Sequence, residues 1–247
     1  MPRKARRESH TKYYHVIVRG VGKQILFEND NDYSYYLSLM KRFSVETGIR
    51  ICAYCLMENH VHLLVYDPEE TLSVFMKKTG VCYAGYYNTK YERTGHLFQD
   101  RFMSEPVETK EYMLTVFRYI LNNPEAAGIC PASEYRWSSY HLYGNRRSFV
   151  NTTLLFSWIG DWEHYVAFMD QENHDKCPDY DYRTNDDDWA KETLYETLGL
   201  ISGSELKAYS KAKRDEALRQ LRRAGLTIKQ IERLTGIGRG IVQRAGK

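Results

Sequence analysis

The sequence predicts an α+β fold: an antiparallel sheet with helices on one face, followed by a small all-α helix-turn-helix region. Three observations carry this. Short β-branched runs at Tyr13–Arg19, Ile49–Met57 and His60–Tyr66 read as strands. Stretches near Asn31–Thr47, Thr71–Arg93 and Thr109–Asn123 repeat apolar residues at helical spacing. Positive charge then gathers at the far end: residues 205–247 hold twelve Lys/Arg and four Asp/Glu, a net +8, leaving 3 − 8 = −5 for the rest.

In chain order, residues 1–9 read as a flexible basic arm. Tyr13–Arg19, with β-branched Val16 and Val18, is the first strand, broken by Gly20 and Gly22. Asn31 or Asp32 caps a helix to about Thr47, with Tyr36, Leu37, Met40 and Phe43 on one face and Gly48 at its end. Ile49–Met57 and His60–Tyr66 are close enough to pair as a hairpin. Thr71 opens a second helix to about Arg93, in which Gly80 and Gly85 are candidate interruptions. Leu97–Val107 is read as the fourth strand. Thr109 caps a third helix with Glu111 in its first turn, where the helix dipole favours a carboxylate. Pro124 is expected to stop that helix, because the residue before a proline resists the α conformation. The order β-α-β-β-α-β-α is that of a ferredoxin-like sandwich. Asp161–Phe168 reads as a further short helix, and Asp170–Asp188, with eight acidic residues against Lys176 and Arg183, as an acidic linker. The expected domains are the arm at 1–9, a main domain at 10–145, a partly helical connector at 146–204 and a basic module at 205–247.

The composition is 43% hydrophobic and 27% charged, and no apolar run approaches the ~20 residues of a membrane span. The basic start lacks the apolar core of a secretory signal. The five cysteines are odd in number, and in a strand the spacing of Cys52 and Cys55 puts their thiols on opposite faces. Free buried thiols and a reduced, cytoplasmic setting are therefore expected.

Alternation along His60–Tyr66 sends His60 and His62 to one face and Val61, Leu63 and Val65 to the other. Two imidazoles converging from a rigid strand suit a divalent metal. Taken alone, the pair also describes ordinary polar residues on a wet sheet face. On the third helix, Met113, Val116, Phe117 and Ile120 form the apolar face, while Tyr112, Thr115, Tyr119 and Asn123 share another. A tyrosine with its ordinary pKa near 10 is a poor nucleophile at pH 7. A metal held by His60, His62 and the side-chain oxygen of Asn123 would help it by polarising and orienting a phosphate. Tyr119 also reads as aromatic filler.

His60-Val61-His62, then Gly95-His96-Leu97-Phe98-Gln99-Asp100-Arg101-Phe102, then Tyr119-Ile120-Leu121-Asn122-Asn123-Pro124 resemble the HUH single-tyrosine transposases, and among them the REP-associated tyrosine transposases. The opening Tyr14-His15-Val16-Ile17-Val18-Arg19-Gly20 is also similar, so the resemblance spans roughly residues 10–145. It implies a metal-dependent enzyme that cuts and rejoins single-stranded DNA at hairpin or palindromic repeats through a 5′-phosphotyrosine. It further implies Tyr119 as nucleophile, His60, His62 and Asn123 as ligands of Mg²⁺ or Mn²⁺, and a homodimer. Arg93 and Arg101 flank the strand that the resemblance places near the site and are candidate phosphate contacts. The rival readings are a repeat-binding regulator that no longer cuts, and a replication initiator or relaxase that shares the histidine pair.

At the basic end, Asp215–Ala224, Thr227–Thr235 and Arg239–Ala245 read as three short helices around Leu218, Leu221, Ile228, Ile231, Leu234, Ile237, Ile241 and Val242. Thr227 as cap and Gly236 at the turn give a helix-turn-helix pattern. Its last helix offers Arg239, Gln243 and Arg244 to bases or phosphates.

Overall fold

Four strands form the sheet: β1 (Tyr13–Arg19), β2 (Arg50–Met57), β3 (His60–Tyr66) and β4 (Met103–Pro106). All pairings are antiparallel and the order is β2-β3-β1-β4, the ferredoxin-like arrangement. The computed structural model describes residues 6–171, 177, 187–200 and 202–245, and the chain divides into two units, Met1–Asp179 and Tyr180–Lys247.

On one face lie α1 (Asp30–Thr47) and α2 (Leu72–Lys90), as expected. Tyr36, Met40, Phe43, Phe75, Met76 and Tyr83 pack there against Val16, Val18, Leu56, Val61, Leu63 and Val65. Helix α3 (Lys110–Ala126) covers the opposite face, where Met113, Val116, Phe117 and Ile120 meet Ala53, Cys55, Met57 and Leu64. Short helices α4 (Thr153–Ile159) and α5 (Trp162–Met169) add Leu155 and Tyr165 to that second core. The outer edge of β2 is capped by the chain near Trp137–Asn151: Leu56 N–H donates to Trp137 O, and Asn151 N–H to Ile51 O. An edge strand is thereby closed to further pairing.

Several expectations change on folding. The cap of α1 is Asn29, one half of a capping box with Asp32, rather than Asn31 or Asp32 itself. Helix α2 runs unbroken through Gly80 and Gly85, since about 1 kcal/mol per glycine is offset by burying Leu72, Phe75, Met76, Tyr83 and Tyr87. Residues 97–107 are not one strand: Phe98 makes a single bridge to Gly20, and the ladder resumes only at Met103. Pro124 lies inside α3, in the last turn, so the helix continues to Ala126. A bulge at Ile51/Ala53 resets the alternation of β2 and brings Cys52 and Cys55 into the same core instead of onto opposite faces. Both remain buried free thiols. Residues 1–5 of the arm lie outside the described residues, but Arg6–Ser9 is anchored. The Arg6 guanidinium sits 3.6 Å over the Phe102 ring, and the buried Ser9 N–H donates to the Tyr14 hydroxyl.

In the second unit, α6 (Asp187–Leu198), α7 (Lys211–Arg223), α8 (Ile228–Thr235) and α9 (Arg239–Ala245) surround Leu206, Leu218, Leu221, Leu226, Ile231, Ile237 and Val242. Thr227 and Gln230 form a capping box on α8, and Gly236 ends it in the left-handed region that glycine favours. Ala190 and Leu194 of α6 belong to this core, so the unit begins before residue 205. Most of the stretch Asp170–Asp188 lies outside the described residues. Among the described residues no helix is long and apolar enough to cross a membrane.

Candidate active site

The α3-covered face of the sheet carries a row of polar side chains from its two central strands. Antiparallel register sets Arg19 opposite His60 and Ile17 opposite His62, with His15 two residues further along β1. Neither histidine of β3 stands on a wet surface: His62 is fully buried, and His60 is half-buried with the rings 4.9 Å apart edge to face. Each imidazole is held through Nδ1. His60 Nδ1 lies 2.7 Å from Asn59 Oδ1, and an amide oxygen only accepts, so Nδ1 carries the proton and Nε2 the lone pair. His62 Nδ1 lies 3.1 Å from Nε2 of His15, while His62 Nε2 is buried without a hydrogen-bond partner. Burial, reinforced by His60, His15 and Arg19, holds His62 well below the ordinary imidazole pKa. Burial alone takes His15 down to about 3. Both rings are therefore neutral at pH 7, the form in which imidazole binds metal.

Helix α3 brings its tyrosine onto this pair. Thr109 accepts from Tyr112 N–H as the N-cap, and the buried stripe of α3 then fixes its rotation. Tyr119 consequently packs edge-on against His62, with centroids 5.7 Å apart, and against His15 at 5.9 Å. One turn on, Asn123 is largely buried and donates Nδ2–H to Tyr119 O at 2.9 Å. Its amide nitrogen is thereby used within the helix, which leaves Oδ1 as the atom for a ligand. Tyr112 differs in kind from Tyr119: its hydroxyl donates to Glu105 Oε2 at 2.7 Å, and burial followed by that carboxylate pushes its pKa far up. Among the described residues no group of three or more His, Cys, Asp or Glu is placed to hold a metal.

Residues 8–123, just under half of the chain, match the family described as IS200-like transposases; the match includes His60, His62, Tyr119 and Asn123. Solved structures similar to this chain include the following two. One, described as a REP-associated tyrosine transposase bound to a REP hairpin, aligns at TM-score 0.49 and 15% identity over 59% of this chain and 87% of its own. The other, described as a candidate transposase from Deinococcus radiodurans, aligns at TM-score 0.34 and 19% identity over 49% of this chain and 97% of its own. No curated protein matches the chain.

Within the matched stretch, the sequence motifs did not single out His15 and Arg19 for roles, yet strand alternation and register put both on the histidine face. That signal was available once β1 and β3 were paired. Arg19 is buried there and its charge acts on His62. Arg93 and Arg101 are exposed and occupy other ground. Arg93 stacks over Tyr87 of α2, and Arg101 lines a cavity beside Arg6, Lys77, His96 and Gln99 whose walls do not include the histidine pair. In the second unit, Arg239, Gln243 and Arg244 share the exposed face of α9 while Val242 and Ala245 point inward. Arg239 Nε lies 3.4 Å from Glu232 of α8.

Proposed function

We propose that the transposase domain cleaves and rejoins single-stranded DNA at hairpin or palindromic repeats, with Tyr119 as nucleophile and a divalent cation, Mg²⁺ or Mn²⁺, at His60, His62 and Asn123. The observation that carries this reading is the packing of Tyr119 against His62 on the one sheet face holding both histidines. The donor set fits such an ion. His62 offers a buried Nε2 without a partner, His60 is held by Asn59 in the tautomer with its lone pair on Nε2, and Asn123 retains Oδ1. Two imidazoles beside an amide oxygen are a comfortable set for Mn²⁺. When bound, the ion supplies polarisation and orientation of the scissile phosphate.

The chain does the rest. The Tyr119 oxygen attacks phosphorus, the P–O3′ bond breaks, and the 3′ oxygen gains a proton as the tyrosine hydroxyl gives one up. The 5′-phosphotyrosine retains the phosphodiester energy, so the reverse attack rejoins a strand without ATP. Arg19, buried beside the pair, supplies fixed positive charge to the phosphate. Arg93 and Arg101 contact the DNA backbone away from the reacting bond. The second unit acts as a helix-turn-helix in which Arg239, Gln243 and Arg244 of α9 meet duplex or hairpin-stem DNA, and the working species is a homodimer.

The test is a denaturing gel of labelled single-stranded hairpins, taken from repeats flanking the gene, after incubation with Mn²⁺ or EDTA. A protein–DNA adduct that needs metal and vanishes in Tyr119→Phe is the expected result. Tight hairpin binding with no adduct under any divalent metal would overturn cleavage in favour of a DNA-binding regulator.

A further inference from the structure

We propose that His15 is a positioning residue: its Nε2 accepts the Nδ1–H of His62 and so turns the His62 Nε2 lone pair toward the cation site. This rests on the metal reading above and deepens it. The two nitrogens are 3.1 Å apart, and both side chains are almost fully buried, so no solvent competes for the bond. Two arrangements of the neutral pair are possible, and they differ in consequence. If His15 donates, His62 carries its hydrogen on Nε2 and cannot ligate. If His62 donates, its Nε2 is a ligand and the leftover hydrogen sits on His15 Nδ1.

Neither His62 Nε2 nor His15 Nδ1 has a hydrogen-bond partner, so either arrangement leaves one buried N–H unmatched. A cation on His62 Nε2 is compatible only with the arrangement in which His62 donates. The neighbouring ligand shows the same plan by a different means: Asn59 Oδ1, an atom that can only accept, fixes His60 through Nδ1. The two ligands of β3 are thus each held from behind, His60 by its own loop and His62 by the adjacent strand. Outer partners of this kind set both the tautomer and the ring orientation of a ligating histidine. The Tyr119 ring, 5.9 Å from that of His15, packs against the same pair, so the support and the nucleophile share one contact surface.

Two measurements on the full chain test this. In metal-free wild-type protein, long-range ¹H–¹⁵N correlation spectra read the His62 tautomer directly. A proton on Nδ1 is expected; a proton on Nε2 overturns the proposal, and this readout needs no variant to fold. Second, Mn²⁺ affinity is measured by calorimetry, with circular dichroism to check folding. His15→Met, of similar bulk but without an effective acceptor, is expected to lose about tenfold to a hundredfold, while His15→Gln, whose amide oxygen still accepts, stays within about threefold of wild type. An unchanged affinity in His15→Met, with His60→Ala clearly weakened, overturns the role of His15 alone. A wild-type affinity no tighter than that of His60→Ala overturns the metal reading beneath it.

Discussion

The Tyr112 hydroxyl donates to Glu105 Oε2 at 2.7 Å, whereas Tyr119, two turns along the same helix, packs its ring against His15 and His62. One tyrosine is tied to a carboxylate that disfavours its anion, and the other faces the histidine pair. Tyr112→Phe is therefore expected to keep the metal-dependent covalent adduct, and Tyr119→Phe to lose it. A gel in which Tyr112→Phe abolishes the adduct and Tyr119→Phe retains it would reverse the assignment.

Asp32 is the most heavily bonded carboxylate in the described structure. It accepts from the N–H groups of Glu28 and Asn29, the hydroxyls of Tyr86 and Tyr91, and Lys90 Nζ. Burial raises its pKa, but the bonds from Lys90, Tyr91 and Tyr86 outweigh that and hold it below the ordinary 3.8. Asp32→Ala removes half of a capping box and strands several partly buried donors, at a cost of about 2–4 kcal/mol in urea unfolding at pH 7.

The same group gives a pH dependence. Its folded pKa is depressed, so the unfolded chain takes up the proton first as pH falls. The stability contributed by Asp32 is present above about pH 4 and is lost below it. The gap between wild type and Asp32→Ala should narrow between pH 5 and pH 3; a constant gap would show that the carboxylate charge does not matter.

Gly20, at the end of β1, is needed for space. A Cβ there would run into the backbone carbonyl of Gln24, which cannot swing away as a side-chain tip would. Gly20→Ala should cost about 1–3 kcal/mol in thermal or urea unfolding. A melting temperature equal to that of wild type would mean that the loop at Val21–Lys23 yields freely.

On α9, Arg244 is exposed while Arg239 is partly engaged by Glu232. If α9 meets phosphates, Arg244→Ala should lower the slope of log K against log salt by about one. Glu232→Ala should strengthen binding by releasing Arg239. An unchanged slope in the first variant would remove α9 from the DNA contact.

The limits of β1 and β3 and the cap of α3 were legible because they are local. The bounds of β1 and β3, the Thr109 cap and the alternation that pairs His60 with His62 depend on residues within a few positions of one another. The same holds for the exposed face of α9 and its Gly236 turn. Local sequence was enough for these features and for the chemistry available at each position. Long-range packing settled which face α3 covers, because that depends on burying Met113, Val116, Phe117 and Ile120 against β2 and β3. It also carried α3 past Pro124, overrode the glycines of α2 and, through the bulge at Ile51/Ala53, moved Cys52 onto the face of Cys55. The bond between His15 and His62 is of the same kind. The two residues are 47 positions apart, and no local rule links them until two strands pair.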